Sequence, residues 1–119
     1  MKVIGIVGSR RRQSPTDWLL VYEAFCQNYI EGDRVCSGMC SKGADQFAVL
    51  CSDIWDAEPI PWYWADWDKY GKAAGFIRNS YIAADSDILI ACVAKDHKGG
   101  TEDTLKKYLK SGKTKLFIV

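Results

Sequence analysis

The sequence predicts an α/β fold in which a five-stranded parallel sheet is covered by helices on both faces, as a three-layer sandwich. Two observations predict it. Short apolar or β-branched runs alternate with longer segments whose apolar residues recur at helical spacing. The alternation is strict, which is typical of parallel strands joined by right-handed crossover helices. A chain of 119 residues is long enough for one proper core, so we expect a single domain over residues 1–119.

Each predicted strand is a short apolar run between turn residues or charged residues. The first run, VIGIV, stops at Gly8, and the most apolar run, DILIACV, is the fourth strand. In chain order, the predicted strands are residues 3–7, 34–37, 60–64, 87–93 and 116–119.

A helical stripe of apolar residues follows each of the first four strands. Pro15 precedes the first stripe, and Gly112 ends the last helix. Gly71 and Gly75 disfavour a regular helix at the start of the third helical segment, so we expect its regular part to begin near Phe76. The predicted inner faces are Trp18, Val21 or Tyr22, Phe25 and Tyr29; Phe47, Cys51 and Ile54; Ala74, Ile77, Tyr81 and Ala84; and Leu105, Tyr108 and Leu109.

Charge and composition exclude several classes of protein. Lys and Arg total 16 and Asp and Glu total 15, for a net charge of +1. General nucleic-acid and membrane-surface proteins normally show a basic excess, so nucleic acid is a disfavoured partner. No apolar run is long enough for a signal peptide or a membrane span. We therefore expect a cytoplasmic protein with no membrane partner.

The cysteines and the histidine do not form a pattern typical of a metal site. The five cysteines are an odd number dispersed through apolar segments, and His97 is the only histidine. We interpret the cysteines as reduced core residues, and we expect no disulfide, no metal and no cofactor. They are Cys26, Cys36, Cys40, Cys51 and Cys92.

Four loops should meet at one edge of the sheet, because parallel strands all end on the same side. The loops are GSRRR, SGMCSKGAD, ADWDKYGK and AKDHKGGTED. Together with Arg78 they carry nine basic side chains against six acidic ones (Asp45, Asp66, Asp68, Asp96, Glu102 and Asp103). A near-neutral protein with a basic rim at this edge suggests a small anionic ligand. The basic residues are Arg10, Arg11, Arg12, Lys42, Lys69, Lys72, Arg78, Lys95 and Lys98.

Arg78 is the leading candidate for an anion contact. A helix that begins near Phe76 would place Arg78 in or next to its first turn, where a cation is locally unfavourable, with Lys72 just ahead. An anion held by the free amides and the guanidinium would compensate. The alternative is a structural ion pair with Asp66, Asp68 or Asp85.

The other loops each allow two interpretations. Gly38 and Gly43 bracket a turn typical of a phosphate or sugar cradle, and Asp45 could accept from a ribose hydroxyl or be an ordinary helix-start carboxylate. Trp67 could stack on a base or pack on the core. Gly99 and Gly100 could bring backbone amides to an anion, or they could simply precede Thr101 as a helix N-cap.

GSR, SGMCSKGAD, ADWDKYGKAAGFIRN and GGTEDT together resemble the SLOG superfamily, and in particular its small stand-alone domains. The resemblance spans nearly the whole chain, and YGKAAGFIRN is its most specific part. It implies a Rossmann-like sheet in the order 3-2-1-4-5. Relatives include the LOG phosphoribohydrolases and the DprA DNA-binding proteins, and the small domains are proposed to sense or process nucleotide-derived ligands.

The resemblance carries over to the site residue by residue. Arg78 matches an arginine that LOG enzymes use. The position of their glutamate, three residues after the threonine of the glycine motif, is Thr104 here. Arg78 with Glu102 is therefore a tentative catalytic pair, in which Asp103 could replace Glu102.

We expect a domain that binds a nucleotide or nucleotide-derived anion, with N-glycosidic hydrolysis of nucleoside monophosphates and DprA-like nucleic-acid binding as alternatives. The sequence leaves open whether the protein is an enzyme and whether it forms a homo-oligomer. The predicted ligand-binding residues are Gly8, Ser9, Arg10, Gly38, Gly43, Asp45, Trp67, Lys72, Arg78, Asn79, Gly99, Gly100 and Thr101.

Overall fold

The structure, a computed structural model, describes residues 1–37, 44–55, 58–59, 67–97 and 99–119. Helices and strands alternate along this part of the chain, as the sequence predicts. The elements are β1 (Val3–Gly8), α1 (Pro15–Asn28), β2 (Arg34–Cys36), α2 (Ala44–Trp55), β3 (Glu58–Pro59), α3 (Trp67–Tyr70), a 3-10 turn (Gly71–Ala73), α4 (Ala74–Asp85), β4 (Ile88–Cys92), α5 (Gly100–Lys110) and β5 (Leu116–Ile118).

The sheet is parallel throughout, which confirms the predicted α/β class. Four strands of three or more residues lie in the order β2-β1-β4-β5. The two-residue β3 pairs with β2 and extends the order to β3-β2-β1-β4-β5. The sheet therefore differs from the five full strands expected, and the predicted third strand, residues 60–64, lies outside the described residues. β1 and β4 pair over five positions, from Ile4 with Ile88 to Gly8 with Cys92.

Two hydrophobic clusters, one on each face of the sheet, give the molecule three layers. The first joins α1 and α2 to the sheet through residues such as Phe25, Ala48 and Ile90. The second joins α4 and α5 to the opposite face through residues such as Ile82, Leu89 and Tyr108. Every residue of β4 is buried, because successive side chains of this central strand face different clusters.

The first helix is fixed by a capping box that the sequence analysis missed. The Ser14 hydroxyl accepts from the Asp17 amide at 3.1 Å, and the Asp17 carboxylate accepts from the Ser14 amide at 3.1 Å. Each contact satisfies an amide that has no partner within the helix. Serine followed three residues later by an acidic residue, with Pro15 between them, is the signal that could have located this start.

The third predicted helix begins earlier than expected. α3 and the 3-10 turn lead directly into α4, which starts at Ala74 rather than near Phe76. Gly71 adopts a φ of +56°, a left-handed conformation that glycine reaches at little cost, so α3 ends before it and the 3-10 turn leads into α4. Arg78 consequently lies in the second turn of α4.

Three of the predicted inner faces include residues that the structure leaves exposed. On α4 the buried residues are Ala74, Asn79, Ile82 and Ala83, whereas Tyr81 is 54% exposed. Alanines on several sides of the helix left the sequence stripe ambiguous, and tertiary packing selected a neighbouring face. On α2 and α5, the predicted Ile54 and Leu109 are exposed at the margins of the apolar stripes.

Three of the predicted core cysteines are buried, and one is not. Cys36, Cys51 and Cys92 are buried free thiols, while Cys26 is an exposed free thiol on α1, so its assignment to the core was wrong. Burial raises the pKa of Cys51 to about 12 and that of Cys92 to about 11. Both thiols therefore stay protonated and unreactive near neutral pH. Cys40 lies outside the described residues.

None of the helices in the described ranges combines the length and the apolar character needed to cross a bilayer.

Gly5 allows β1 to approach the end of α4. A Cβ at Gly5 would lie 2.1 Å from the Ser86 Oγ and 2.9 Å from the Ser86 Cβ. The Ser86 hydroxyl donates to the Ile82 carbonyl at 2.7 Å, and its oxygen lies 3.3 Å from the Cys36 sulfur. Ser86 is fully buried, so its side chain has little room to move away from an added methyl group.

A buried carboxylate ties the N-terminus to the loop before β2. Asp33 accepts from the Lys2 ammonium, from the Lys2 amide at 3.1 Å and from the Ile30 amide at 2.9 Å. Burial alone would raise the pKa of Asp33. The hydrogen bonds from Lys2 and Ile30 and the charge of Lys2 outweigh burial and lower the pKa below its usual value.

We expect Gly5→Ala to destabilise the protein by about 1–3 kcal/mol, since the added methyl group overpacks a buried contact. Urea unfolding measures the change. The cost should shrink in a Ser86→Ala background, because the closest atom is then absent. An equal cost in both backgrounds would contradict the proposed clash.

Asp33 should make the free energy of unfolding depend on pH in the acid range. Its pKa in the folded protein lies below the unfolded value of about 3.9. Its contribution is therefore complete above about pH 4 and is lost as pH falls through the folded pKa. Urea unfolding between pH 7 and pH 2 should show a smaller acid loss in Asp33→Asn than in the wild type. Asp53→Asn, at an exposed position of α2, serves as the control and should leave the profile unchanged.

Candidate functional site

The loops after β1 and β4 meet at the edge where both strands end. Gly8 pairs with Cys92 in the β1–β4 register, and the Ser9 amide donates to the Cys92 carbonyl at 2.9 Å. The Ser9 hydroxyl accepts from the Arg11 amide at 3.2 Å, and the Arg12 amide donates to the Ser9 carbonyl at 3.0 Å. These contacts fold the GSR segment into a compact turn beside the loop that leads to α5.

The three consecutive arginines of the first loop have different environments. Arg11 makes two 2.7 Å hydrogen bonds to the Asp96 carboxylate, as an exposed ion pair that links the two loops. Arg10 is exposed, and its carbonyl accepts from the Gln13 side chain at 2.7 Å.

Arg12 has a structural position that the sequence analysis did not distinguish from that of its neighbours. Its Nη1 donates to the Val93 carbonyl at 2.6 Å and to the Val119 carbonyl at 3.0 Å, and its Nε donates to Asp17 at 2.6 Å. Burial alone would raise the pKa of Asp17, but the hydrogen bonds from Arg12 and Ser14 and the Arg12 charge lower it overall. Arg12 thus joins β4 and β5 to the start of α1, and it does not add to the basic rim.

α5 begins at Gly100, one residue before the predicted N-cap. Gly99 is the N-cap, with a φ of +115°, and it makes no side-chain cap hydrogen bond. Thr101 lies inside the first turn and is buried, so its predicted role as the N-cap was wrong. The conformation of Gly99 requires glycine, so the N-cap residue itself supplies no capping side chain to the first turn of α5.

Asn79 connects α4 to this helix start. Its side-chain amide donates to the Gly100 carbonyl at 3.1 Å and to the Asp103 carboxylate at 3.2 Å, and the residue is 4% exposed. Lys107 in turn donates to Asp103 and to the Phe76 carbonyl, each at 2.7 Å. A buried amide with two acceptors fixes the two helices relative to each other at the edge of the sheet.

The position of Arg78 corrects the helix-dipole argument made from the sequence. Arg78 follows Ala74 by four residues and precedes Ile82 by four, and both of those residues are buried on α4. This spacing places the half-buried Arg78 on the inner side of the helix. Because the 3-10 turn precedes α4 and Arg78 lies in its second turn, the positive end of a helix dipole does not oppose its charge strongly.

His97 and Glu102 form a pair that the sequence analysis missed. His97 Nδ1 lies 3.2 Å from the Glu102 carboxylate, and the side chain of Glu102 is only 15% exposed. His97 adopts a φ of +52°, in the left-handed region that is rare for residues other than glycine. A turn bond from the His97 amide to the Ala94 carbonyl, at 3.0 Å, accompanies this conformation. The signal was weak, because a histidine five residues before a glutamate has no standard spacing.

The structure brings some predicted site residues together and leaves others untested. Gly8, Ser9 and Arg10 lie on the β1 side of the edge, and Gly99, Gly100, Thr101 and Glu102 lie on the α5 side, next to Asn79. Gly38 and Gly43 lie outside the described residues. Asp45, Trp67 and Lys72 fall in α2, α3 and the 3-10 turn, and their ligand contacts stay predictions. Within the described ranges, no group of three or more His, Cys, Asp or Glu side chains could hold a metal ion.

Comparison with known proteins identifies one structural likeness. The chain is similar to the molybdenum cofactor binding protein from the phototrophic bacterium Rippkaea orientalis, with a TM-score of 0.72 and 22% sequence identity over 98% of this chain and 75% of that one. No protein-family model matches the chain, and no curated protein matches it. The likeness supports an α/β fold, and the SLOG resemblance stays a prediction.

Proposed function

We propose that this protein binds a small anionic ligand, a nucleotide or nucleotide-derived molecule, at the edge of the sheet where β1 and β4 end. The start of α5 is the observation that carries this proposal. Gly99 and Gly100 present the first turn of α5 without a capping side chain, and free amides at a helix start favour an anion. The β1–β4 register brings Gly8 and Ser9 to the same edge.

The acidic residues of the first turn of α5 do not oppose this proposal. Glu102 contacts His97, while Asp103 accepts from both Lys107 and Asn79. A carboxylate that is engaged by cationic or amide donors repels a nearby anion less than a free carboxylate does. The basic rim is smaller than the sequence suggested, since Arg12 is committed to the Val93 and Val119 carbonyls. Arg10 and Arg78 are the arginines to which we assign ligand contacts.

A second candidate function, hydrolysis of an N-glycosidic bond of a nucleoside monophosphate, is favoured by the His97–Glu102 pair. A carboxylate 3.2 Å from an imidazole holds the ring in place, and such a ring can transfer a proton to or from a substrate. This arrangement would supply acid–base chemistry at the same edge, with Glu102 acting through His97. Release of free base and ribose phosphate from a monophosphate distinguishes hydrolysis from binding alone.

The structural likeness supplies a further ligand to test. A protein of the same fold binds molybdenum cofactor, which supports a small-ligand role for this fold in general. Mass spectrometry of the denatured pure protein, with elemental analysis for molybdenum, identifies any ligand that copurifies. A nucleotide without molybdenum supports the proposal, whereas stoichiometric molybdenum would identify molybdenum cofactor as the ligand instead.

Arg78→Ala should weaken a nucleoside monophosphate on the order of tenfold to a hundredfold and leave the matching nucleoside unchanged. A lost charge-assisted contact costs about 1.5–3 kcal/mol, and only the phosphate makes that contact. Isothermal titration calorimetry measures both affinities. Lys106→Ala removes the same charge from an exposed position of α5 and should change neither affinity.

Thermal melts of the same Arg78 variant separate a ligand contact from a structural ion pair. If Arg78 neutralised a carboxylate such as Asp85, truncation would lower the melting temperature with or without ligand. Unchanged nucleotide affinity together with a clear loss of stability would exclude Arg78 from the site.

Asn79→Asp should destabilise the protein by about 1–3 kcal/mol and weaken ligand binding, because carboxylate oxygens would then face the Gly100 carbonyl and the Asp103 carboxylate. Exchanging the two groups, in Asn79→Asp with Asp103→Asn, should restore part of the stability. Urea unfolding and calorimetry measure the two effects.

A further inference from the structure

β5 ends the sheet and leaves part of its backbone facing outward. The Lys115 carbonyl accepts from the Leu89 amide at 3.0 Å, and the Val119 amide donates to the Ala91 carbonyl at 3.0 Å. Along a strand, successive residues direct their backbone amides and carbonyls to opposite sides. Residues 115, 117 and 119 therefore direct theirs toward β4. Leu116 and Ile118 consequently direct their amides and carbonyls away from the sheet, at an edge with no further strand among the described residues.

Apolar side chains line both sides of this edge. On the α1 face, a groove of about 420 Å³ runs between the helix and the strand. Leu20, which is 39% exposed, is one of its apolar residues, whereas the side chain of Ile118, which is 55% exposed, lies on the opposite face with that of Leu116. The groove is lined by Leu20, Glu23, Ala24, Gln27, Leu116, Phe117, Ile118 and Val119.

The opposite face carries an exposed leucine on the flank of α5 nearest this edge. Asp103 and Lys107 contact α4, which lies on the β1 side, and so define the other flank of α5. Leu109 is roughly half a helical turn away from that flank, and it is 45% exposed. Exposed apolar side chains on both faces of an unpaired edge strand mark a pairing surface.

We propose that a second copy of this chain docks on β5, with the two β5 strands antiparallel across a twofold axis at Phe117. Leu116 of each copy then lies opposite Ile118 of the other, and their outward amides and carbonyls form four hydrogen bonds. The two sheets become one continuous sheet. The arrangement uses only backbone groups that have no partner strand in the described chain.

Charge and shape select a second copy over another extended peptide. The twofold axis sets the exposed Lys115 opposite Val119 of the other copy, beside the groove wall that carries the exposed Glu23. The twofold axis therefore creates two equivalent contacts, each between a positively charged lysine and a negatively charged glutamate. The other copy also contributes its own Leu20 and Leu109, which cover those of the first. A single peptide strand would leave both helical flanks exposed.

The interface is separate from the proposed ligand site. β5 lies at one edge of the sheet formed by the described residues, whereas the site lies at the ends of β1 and β4 and the start of α5. In an antiparallel dimer the two ligand edges face opposite directions, so both stay open. The test of dimerisation can therefore fail without contradicting the proposed ligand binding, and the reverse also holds.

Sedimentation velocity over a range of concentrations tests the proposal. The wild type should show a monomer–dimer equilibrium. Ile118→Lys, and separately Leu20→Lys on the other face, should raise the dimer dissociation constant on the order of a hundredfold, because symmetry places each unpaired charge in the interface twice. Ile30→Lys, at a 68% exposed position outside this surface, should leave the constant unchanged.

Hydrogen exchange of the wild type locates the interface without any substitution. The Leu116 and Ile118 amides should be protected at high concentration and should exchange rapidly when the protein is diluted to a monomer. A monomer at every concentration overturns the proposal, as does a dimer in which these two amides stay unprotected. Protection that persists in the diluted monomer also overturns it, since a segment of the same chain would then cover the edge.

Discussion

The pairing of β1 with β4 is the constraint on which the rest of this structure depends. It is five residues long, it lies at the centre of the sheet, and its end at Gly8 and Cys92 fixes where the two loops of the candidate site leave the strands. Gly5 makes the pairing compatible with the α4 layer, because the Ser86 hydroxyl occupies the space that any other side chain would need. A shift of register would separate the GSR turn from the loop that leads to α5.

At the candidate site, the hydrogen-bond partners of the charged residues show which of these residues stabilise the fold. Arg12 joins the ends of β4 and β5 through the Val93 and Val119 carbonyls and α1 through the Asp17 carboxylate, whereas Arg11 links two loops at the surface. The carboxylates of the first turn of α5 are engaged by His97, Asn79 and Lys107. The helix start to which we assign an anion therefore has its described carboxylates engaged by other side chains.

The two ends of the sheet differ in character. At the end where the strands begin, the buried Asp33 forms an ion pair with the partly exposed Lys2, and Lys113 donates to the Ala84 and Ser86 carbonyls, each at 2.7 Å, at the end of α4. At the other end, glycines and exposed basic residues dominate the described loops. Contacts that stabilise the fold lie at both ends, since Arg12 and Asn79 make theirs at the edge to which we assign ligand binding.

The sequence by itself determined the α/β class, the parallel sheet and the meeting of the loops after β1 and β4 at one edge. Strand and helix periods are local properties, and parallel connections force that convergence. Only the tertiary structure decided which face of α4 is buried, that its helical path starts before Ala74, and that Arg12 is structural. Alanine-rich stripes permit several faces until a sheet packs against one. Three adjacent arginines are likewise equivalent until distant carbonyls, such as that of Val119, select among them.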